Sequence, residues 1–415
     1  MEKEKKEKLL ALFRSKLDRP MRYYLDVCTR CGICRDACFA YASSPKAEYT
    51  PVWRAEVVRK IYKRNFKWIG KLFPFLGKSK EIDDDTMRQL YDAAYTCTGC
   101  RRCMMVCPFG IDTQAIQSIA KLLLIGNESA PEELSMLADA SIEKGKNIDL
   151  YKASFVQGIK NLEKEVISKW KGESDQVIPL DVEGANILYV ALAGAHSIIP
   201  TASILNAARE NWTLSFFEAV NFGAFVGDPI KTQMIAKRII NEAIRLKVKE
   251  VTICECGTAY RVMKHLVGEQ PFKVSHIAEV MARYLGEGRI RVERDRIKGL
   301  ITYHDPCQSA RNSGVIEEPR YVLHQLTSNF AEMTPNREYN ICCGGGGGLV
   351  ALENEPFREE TGKAKVNQIR DTGATIVATG CENCHTQLKF LNDRYKTEVK
   401  VEFLTNLVAN SLVLE

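Results

Sequence analysis

Residues 28–38 read CTRCGICRDAC and residues 97–108 read CTGCRRCMMVCP. Both set cysteines as C-x2-C-x2-C-x3-C: Cys28, Cys31, Cys34 and Cys38, then Cys97, Cys100, Cys103 and Cys107, with Pro108 behind the second run. This is the spacing of proteins that hold two [4Fe–4S] clusters, where three cysteines of a run wrap one cluster and the fourth ligates the other. Each iron of a cubane takes one soft thiolate. The runs therefore predict one cubane at Cys28, Cys31, Cys34 and Cys107 and another at Cys97, Cys100, Cys103 and Cys38. Zinc fits less well, since structural zinc sites pair two C-x2-C elements rather than two triplets. A disulfide framework fits least, because the opening MEKEKKEKLL lacks the apolar core of a secretory signal. Phe39 follows Cys38 where proline is common, which leaves the loop shape there open.

The segment from Phe39 to Thr96 is long for a small ferredoxin and reads as helix over Val52 to Arg64 and Asp84 to Ala94, which predicts a helical two-cluster domain. The 415 residues suffice for two or three domains. Fifteen cysteines without a secretory signal favour metal ligation in a reducing compartment. No apolar stretch reaches the ~18–20 residues of a membrane span; the richest, Ile187 to Ile199, is short and carries His196. The net charge of +6 does not argue for nucleic acid. From Arg54 to Lys80 nine Lys or Arg face one acid, Glu56, with Tyr62, Phe66, Trp68, Phe73 and Phe75 interleaved. Such a segment either docks on an anionic membrane surface or membrane subunit, or covers the clusters with its aromatics turned inward.

Residues 1–165 read as the helical ferredoxin domain, its first helix carrying Leu9, Leu10, Leu12, Phe13 and Leu17 on one stripe. Residues 166–184 read as a polar linker. Beyond it strands alternate with helices: strand Ile187 to Leu192, a helix opened by Asp228-Pro229, strand Glu250 to Ile253, strand Leu300 to Tyr303, a helix ending before Gly373, and strand Thr375 to Ala378. The two halves align. VTICECGTAYRVMKHL falls on IVATGCENCHTQLKFL, with Cys256 on Cys381, and KVSHIAEVMARYL falls on KVEFLTNLVANSL. An internal duplication follows, with parallel α/β units at 185–296 and 297–415. The fold class is thus α+β and multidomain.

The second unit carries Cys307, the pair Cys342-Cys343 before the glycines Gly344 to Gly348, and Cys381-x2-Cys384. Five cysteines exceed a closed four-thiolate site, which favours a larger cluster over zinc. Glycines let backbone approach a bulky ligand, and Gly344 and Gly345 are the candidates for it.

These residues resemble the CCG motif of the heterodisulfide reductase family. With the two N-terminal runs, nearly the whole chain resembles the D-type subunit of that enzyme and its relatives in sulfate reducers, DsrK, HmeD and TmcB. MRYYLDVCTRCGICRDAC, TPVWRAEVVRKIYKR, CTGCRRCMMVCPFGIDT and ECGTAYRV carry that likeness. The resemblance implies a non-cubane [4Fe–4S] cluster at Cys307, Cys342, Cys343, Cys381 and Cys384, beside the two cubanes. The first unit departs from it. Ala193 to Ser197 holds no cysteine, Asn221-Phe222-Gly223-Ala224 stands where a CCG belongs, and Ala259 replaces the partner of Cys256. One thiolate cannot hold a cluster, so the first unit is predicted empty. Cys254 then reads as structural, and Cys256 as structural or redox-active.

His304 precedes Asp305-Pro306-Cys307 and His385 follows Cys384; each is a candidate proton donor to a leaving thiolate or a hydrogen-bond partner of a cluster sulfur. His196, His265, His276 and His324 read as non-functional. Cubanes pass single electrons, whereas cleaving a disulfide takes two. The resemblance implies a disulfide or trisulfide oxidoreductase component of dissimilatory sulfur metabolism. It would be cytoplasmic and peripheral, tied to a membrane cytochrome b-type subunit and the quinone pool. Its substrate would be a small sulfur-carrier protein of DsrC type or a small-molecule disulfide, such as the coenzyme M–coenzyme B heterodisulfide that the methanogen enzyme reduces. The alternatives are an electron-relay subunit of a flavin dehydrogenase acting on glycolate, lactate or glycerol 3-phosphate, and a cluster-bearing redox sensor. No nucleotide-binding fingerprint is present.

Overall fold

The computed structural model describes residues 2–73, 81–170, 178–192, 194–352 and 354–413. The chain forms two compact units. One comprises Met1–Leu137, Phe225–Pro229 and Ile341–Val366; the other comprises Ala138–Ala224, Ile230–Asn340 and Asn367–Glu415.

The first unit is helical, and its helix starts are chemically marked. Asp18 accepts from the Met21 N–H with Pro20 behind it, and Thr50 accepts from Trp53 with Pro51 at the first helical position. Asp83 accepts from Thr86, and Asp112 from Ala115. Each side chain satisfies one backbone donor that the first turn leaves unpaired. The helix Thr113–Gly126 packs against Lys3–Ser15, Pro51–Phe66 and Asp84–Tyr95. Its buried Ile116, Ile119 and Leu123 meet a core that includes Leu9, Phe13, Leu90 and Ile61.

The basic stretch after Arg54 divides. Arg54 and Arg59 are buried, and Phe66 packs its ring 5.1 Å from that of Phe13 beside buried Tyr62. Trp68 and Phe73 are exposed, while Phe75 lies outside the described residues. Phe39 occupies the first position of the short helix Phe39–Ser43, with Cys38 as its cap. Proline is tolerated at that position, so the Pro-to-Phe exchange keeps the backbone course and adds a buried ring.

The second unit holds two parallel four-stranded sheets. Strands β1 (Ile187–Val190), β2 (Trp212–Leu214), β3 (Glu250–Ile253) and β4 (Lys273–His276) run in the order β2-β1-β3-β4. Strands β5 (Ile301–His304), β6 (Phe330–Ala331), β7 (Ile376–Thr379) and β8 (Lys400–Phe403) run β6-β5-β7-β8. β1, β3, β5 and β7 are buried throughout, as strands covered on both faces must be. Strand order reverses at β1/β3 and at β5/β7, and crevices at such switch points open at the C-terminal strand ends. One apolar core runs through both halves, from Ile187 and Tyr189 to Ile301, Ile376 and Leu404.

The halves differ by one residue at a telling place. Ile187 pairs with Glu250 and Ile301 with Ile376, so the central strands hold equivalent registers. Cys254 and Glu255 then separate β3 from its helix cap Cys256, whereas Gly380 alone separates β7 from its cap Cys381. The helix Ile148–Trp170 runs into the stretch read as linker, whose residues 171–177 lie outside the described ones.

Candidate metal centres

In the first unit, Cys28, Cys31, Cys34 and Cys107 line one cavity of about 480 Å³ including its open mouth. Cys38, Cys97 and Cys100 line another of about 360 Å³, and Cys103 borders both. The donor set is thiol throughout, which suits iron with bridging sulfide. Burial, then Cys28, Cys107 and Cys31, push the Cys34 thiol up to about 11. Burial, then Cys100, Cys97 and Cys38, hold the Cys103 thiol well above its ordinary value.

The two runs bend alike. Arg30 and Gly32 flank Cys31 with φ of 59° and 84°, and Gly99 and Arg101 flank Cys100 with φ of 68° and 60°. Turns through left-handed residues can gather backbone N–H groups into a concavity suited to anionic groups. Each arginine carries a steric penalty of about 1–2 kcal/mol in that conformation, and each is tied down. Arg30 makes paired bonds of 3.0 and 2.9 Å to Glu56, and Arg101 reaches Asp112 at 2.7 Å.

Arg54 lies against the second cavity, 2% exposed. Its Nη1 donates to Cys38 Sγ at 3.4 Å, its Nε to Thr96 Oγ1 at 3.2 Å and its Nη2 to Thr96 O at 3.1 Å. Burial opposes its charge, but Cys38 and Cys97 outweigh it and raise the guanidinium pKa.

Cys342 and Cys343 also belong to this unit, each 2% exposed. The Gly344 N–H donates to Cys342 Sγ and the Gly345 N–H to Cys343 Sγ, both at 3.4 Å. The glycine run thus aims backbone donors at sulfur.

In the second unit, Cys307 follows β5, Cys381 caps the helix Glu382–Tyr395 after β7, and Cys384 sits in its first turn. All three are buried. The Cys384 thiol donates to Cys381, and the N–H groups of Gly257, Cys384 and Asn383 add to it, so the Cys381 thiol falls to about 7 despite burial. A ring nitrogen of His304 lies within 4.8 Å of Cys384 Sγ. His385 stacks on Phe403 at 4.0 Å, and burial lowers its pKa. Asp305, two residues before Cys307, is 1% exposed and meets Arg320 through bonds of 2.8 and 2.9 Å. Arg320 also binds Glu332 at 2.6 Å, and the Arg337 N–H donates to Asp305.

In the first half other groups occupy the corresponding places. Asn221 is buried, donates to Thr232 O at 3.0 Å and accepts from the Ala224 N–H at 3.1 Å. A Cβ on Gly223 would lie 2.5 Å from Thr232 N. Ser197 accepts from the Leu192 N–H at 3.1 Å. Burial and then Cys381 push the Cys256 thiol up to about 12.

Glu255, which sequence reasoning passed over, joins the halves. Its carbonyl accepts from the Glu382 N–H at 2.7 Å, and its carboxyl accepts from the Thr405 hydroxyl at 2.5 Å and the Thr405 N–H at 3.2 Å, capping the helix Leu404–Ser411. Burial raises this carboxyl to about 8 against these bonds. The unfolded chain releases the same proton near about 4.3. Stability from this group is therefore complete below about pH 4 and is lost as pH rises to about 8. Glu255→Gln is expected to raise the Tm little at pH 5 and by several degrees at pH 8, on the order of a few kcal/mol. Anaerobic calorimetry at both values checks this; an equal shift at the two would rule out the buried carboxylic acid.

Comparison with known proteins matches both ends of the chain. The 4Fe-4S dicluster domain family covers residues 24–111, and the Cysteine-rich domain family, CCG, covers residues 301–389. The "Hdr-like menaquinol oxidoreductase iron-sulfur subunit 2" of Archaeoglobus fulgidus is 27% identical over 96% of this chain and 81% of its own length. The D-type subunit of the dihydromethanophenazine:CoB–CoM heterodisulfide reductase of Methanosarcina mazei is 28% identical over 94% of this chain and 95% of its own. The "EtfAB:quinone oxidoreductase" of Syntrophomonas wolfei is 24% identical over 88% of this chain and 54% of its own.

Proposed function

We propose that the chain is an iron–sulfur protein of the heterodisulfide reductase family, of the D type, and that it exchanges electrons with a disulfide or trisulfide at Cys307, Cys342, Cys343, Cys381 and Cys384. In this reading those five thiolates hold a non-cubane [4Fe–4S] cluster. One cubane rests on Cys28, Cys31, Cys34 and Cys107, and the other on Cys97, Cys100, Cys103 and Cys38. The observation that carries it is the set of backbone N–H groups directed at Cys342, Cys343 and Cys381, since such donors favour the thiolate that binds iron.

A cluster there supplies single-electron steps and an iron site for sulfur. The chain's own residues supply the rest. Burial of all five cysteines keeps water from the reacting sulfur. His304, close to Cys384, holds the proton that a departing thiol takes. The Asp305–Arg320 pair fixes the turn into Cys307.

In this reading electrons pass between these sites and a menaquinol-linked partner, as the name of the Archaeoglobus relative suggests; the family resemblance implies that this partner is a membrane cytochrome b-type subunit. No helix among the described residues is long and apolar enough to cross a membrane. The redox-active sulfur belongs to a small carrier protein of DsrC type or to a small-molecule disulfide. A relay role for a flavin-linked dehydrogenase is the second reading, favoured by the likeness to the Syntrophomonas protein.

Electron paramagnetic resonance of anaerobically purified, oxidised protein separates the two. The expected result is a signal that appears on oxidation, responds to added thiol and vanishes in Cys343→Ala, with the two cubanes retained by iron count. A silent oxidised spectrum with iron for two cubanes alone would leave the relay.

A further inference from the structure

Thr98 faces two cysteine groups at once. It is 1% exposed and lines the cavity of Cys38, Cys97, Cys100 and Cys103. Its Oγ1 lies 3.4 Å from Cys342 Sγ, with the thiol donating. When Cys342 is a thiolate the bond reverses, and the hydroxyl donates to sulfur.

The glycine run is shaped around this contact. Gly347 has φ +69°, and a Cβ there would lie 2.7 Å from Cys97 O and 3.0 Å from Thr98 Cα. A Cβ on Gly346 would lie 3.2 Å from Thr98 O. Real Cβ atoms do not approach backbone at 2.7 Å, so Gly347 is what permits Cys97 and Thr98 to touch the loop after Cys343. All of these residues lie within the first unit.

The other cysteine group faces outward. Cys31 is exposed, and its cavity is rimmed by Ile33 and Phe109, 52% and 38% exposed.

We propose that the two N-terminal groups act in a fixed order: the Cys28 group is the outer port, the Cys97 group is the immediate partner of Cys342, and Thr98 is the positioning residue that joins them. This rests on the reading of five-cysteine redox chemistry given above. Each passage moves one electron. The group at Cys97 is oxidised, the group at Cys342 is reduced, and no bond or proton changes at Thr98. The short covalent and hydrogen-bonded path Cys97–Thr98–Cys342 replaces a jump through space.

The test is anaerobic mixing of oxidised holoprotein with dithionite, freeze-quenched and read by electron paramagnetic resonance. Thr98→Val deletes the hydroxyl, Thr98→Ser keeps it, and Gly347→Ala forces the loop away from Cys97 with Thr98 intact. Iron content and the reduced cubane spectra report folding in each. Reduction at the C-terminal cysteines is expected to slow on the order of tenfold in Thr98→Val and in Gly347→Ala, with Thr98→Ser like the parent and the cubanes reduced at the parent rate. A parent-like rate in both Thr98→Val and Gly347→Ala, with the C-terminal signal present, overturns the proposal and leaves the function standing. Absence of that signal in the parent protein overturns the functional reading first, and the relay order with it.

Discussion

Arg320→Ala is expected to destabilise the protein by about 3–5 kcal/mol, because it leaves buried Asp305 charged without its partner. Asp305 is 1% and Arg320 2% exposed, and the pair is doubly bonded. Glu332 is more open, its side chain 29% exposed, and solvates part of its own charge when released. At roughly 2–4 °C per kcal/mol for a domain of this size, the Tm falls by roughly 10 °C. Replacing both partners removes the stranded charge, so Arg320→Met with Asp305→Leu recovers most of the loss. Calorimetry of the two variants decides it. A single variant melting with the parent would mean that Asp305 finds compensation elsewhere.

Arg54→Gln produces the largest expected redox effect. A cationic donor to a ligand sulfur stabilises the reduced, more negative cluster and raises its potential. Arg54 provides both the charge and the bond to Cys38, with water excluded around it. A hydrogen bond to a charged group amounts to about 1.5–3 kcal/mol. For a one-electron couple that is on the order of 100 mV. Redox titration should show the potential of one cubane falling by this much and the other holding still. Two cubanes shifting equally would place the effect in a general loss of packing.

Much of the fold was legible because its signals are local. The Asp228-Pro229 pair marks the start of the helix Pro229–Arg245, and the buried parallel strands read as apolar runs between helices. The reading placed β5 and β7 one residue early, since an apolar run does not mark where pairing begins. Strands β2, β4, β6 and β8 escaped it: Trp212–Leu214 and Phe330–Ala331 are too short to show a period, and Lys273–His276 and Lys400–Phe403 mix polar with apolar residues. The cysteine runs declared their chemistry through spacing alone. Arg54, Thr98 and Glu255 did not declare theirs. Each acts through a partner far along the chain, Thr98 on Cys342 and Glu255 on Thr405, and no local pattern carries that information. In a basic stretch Arg54 looks like any surface charge; only burial sets it apart.

The one-residue difference between the halves bears on any attempt to rebuild the first half as a working site. Four new cysteines beside Cys256 would not be enough. Asn221 would have to give up its backbone bonds, and the crowded backbone at Gly223 would have to open. Glu255 is the deeper obstacle. It lengthens the turn before Cys256 and at the same time holds the helix Leu404–Ser411 of the other half. Deleting it to restore the turn would unfasten the neighbour that still carries Cys381. The half that lacks the cysteine set has become a fixture of the half that keeps it, and a single carboxyl group fastens one to the other.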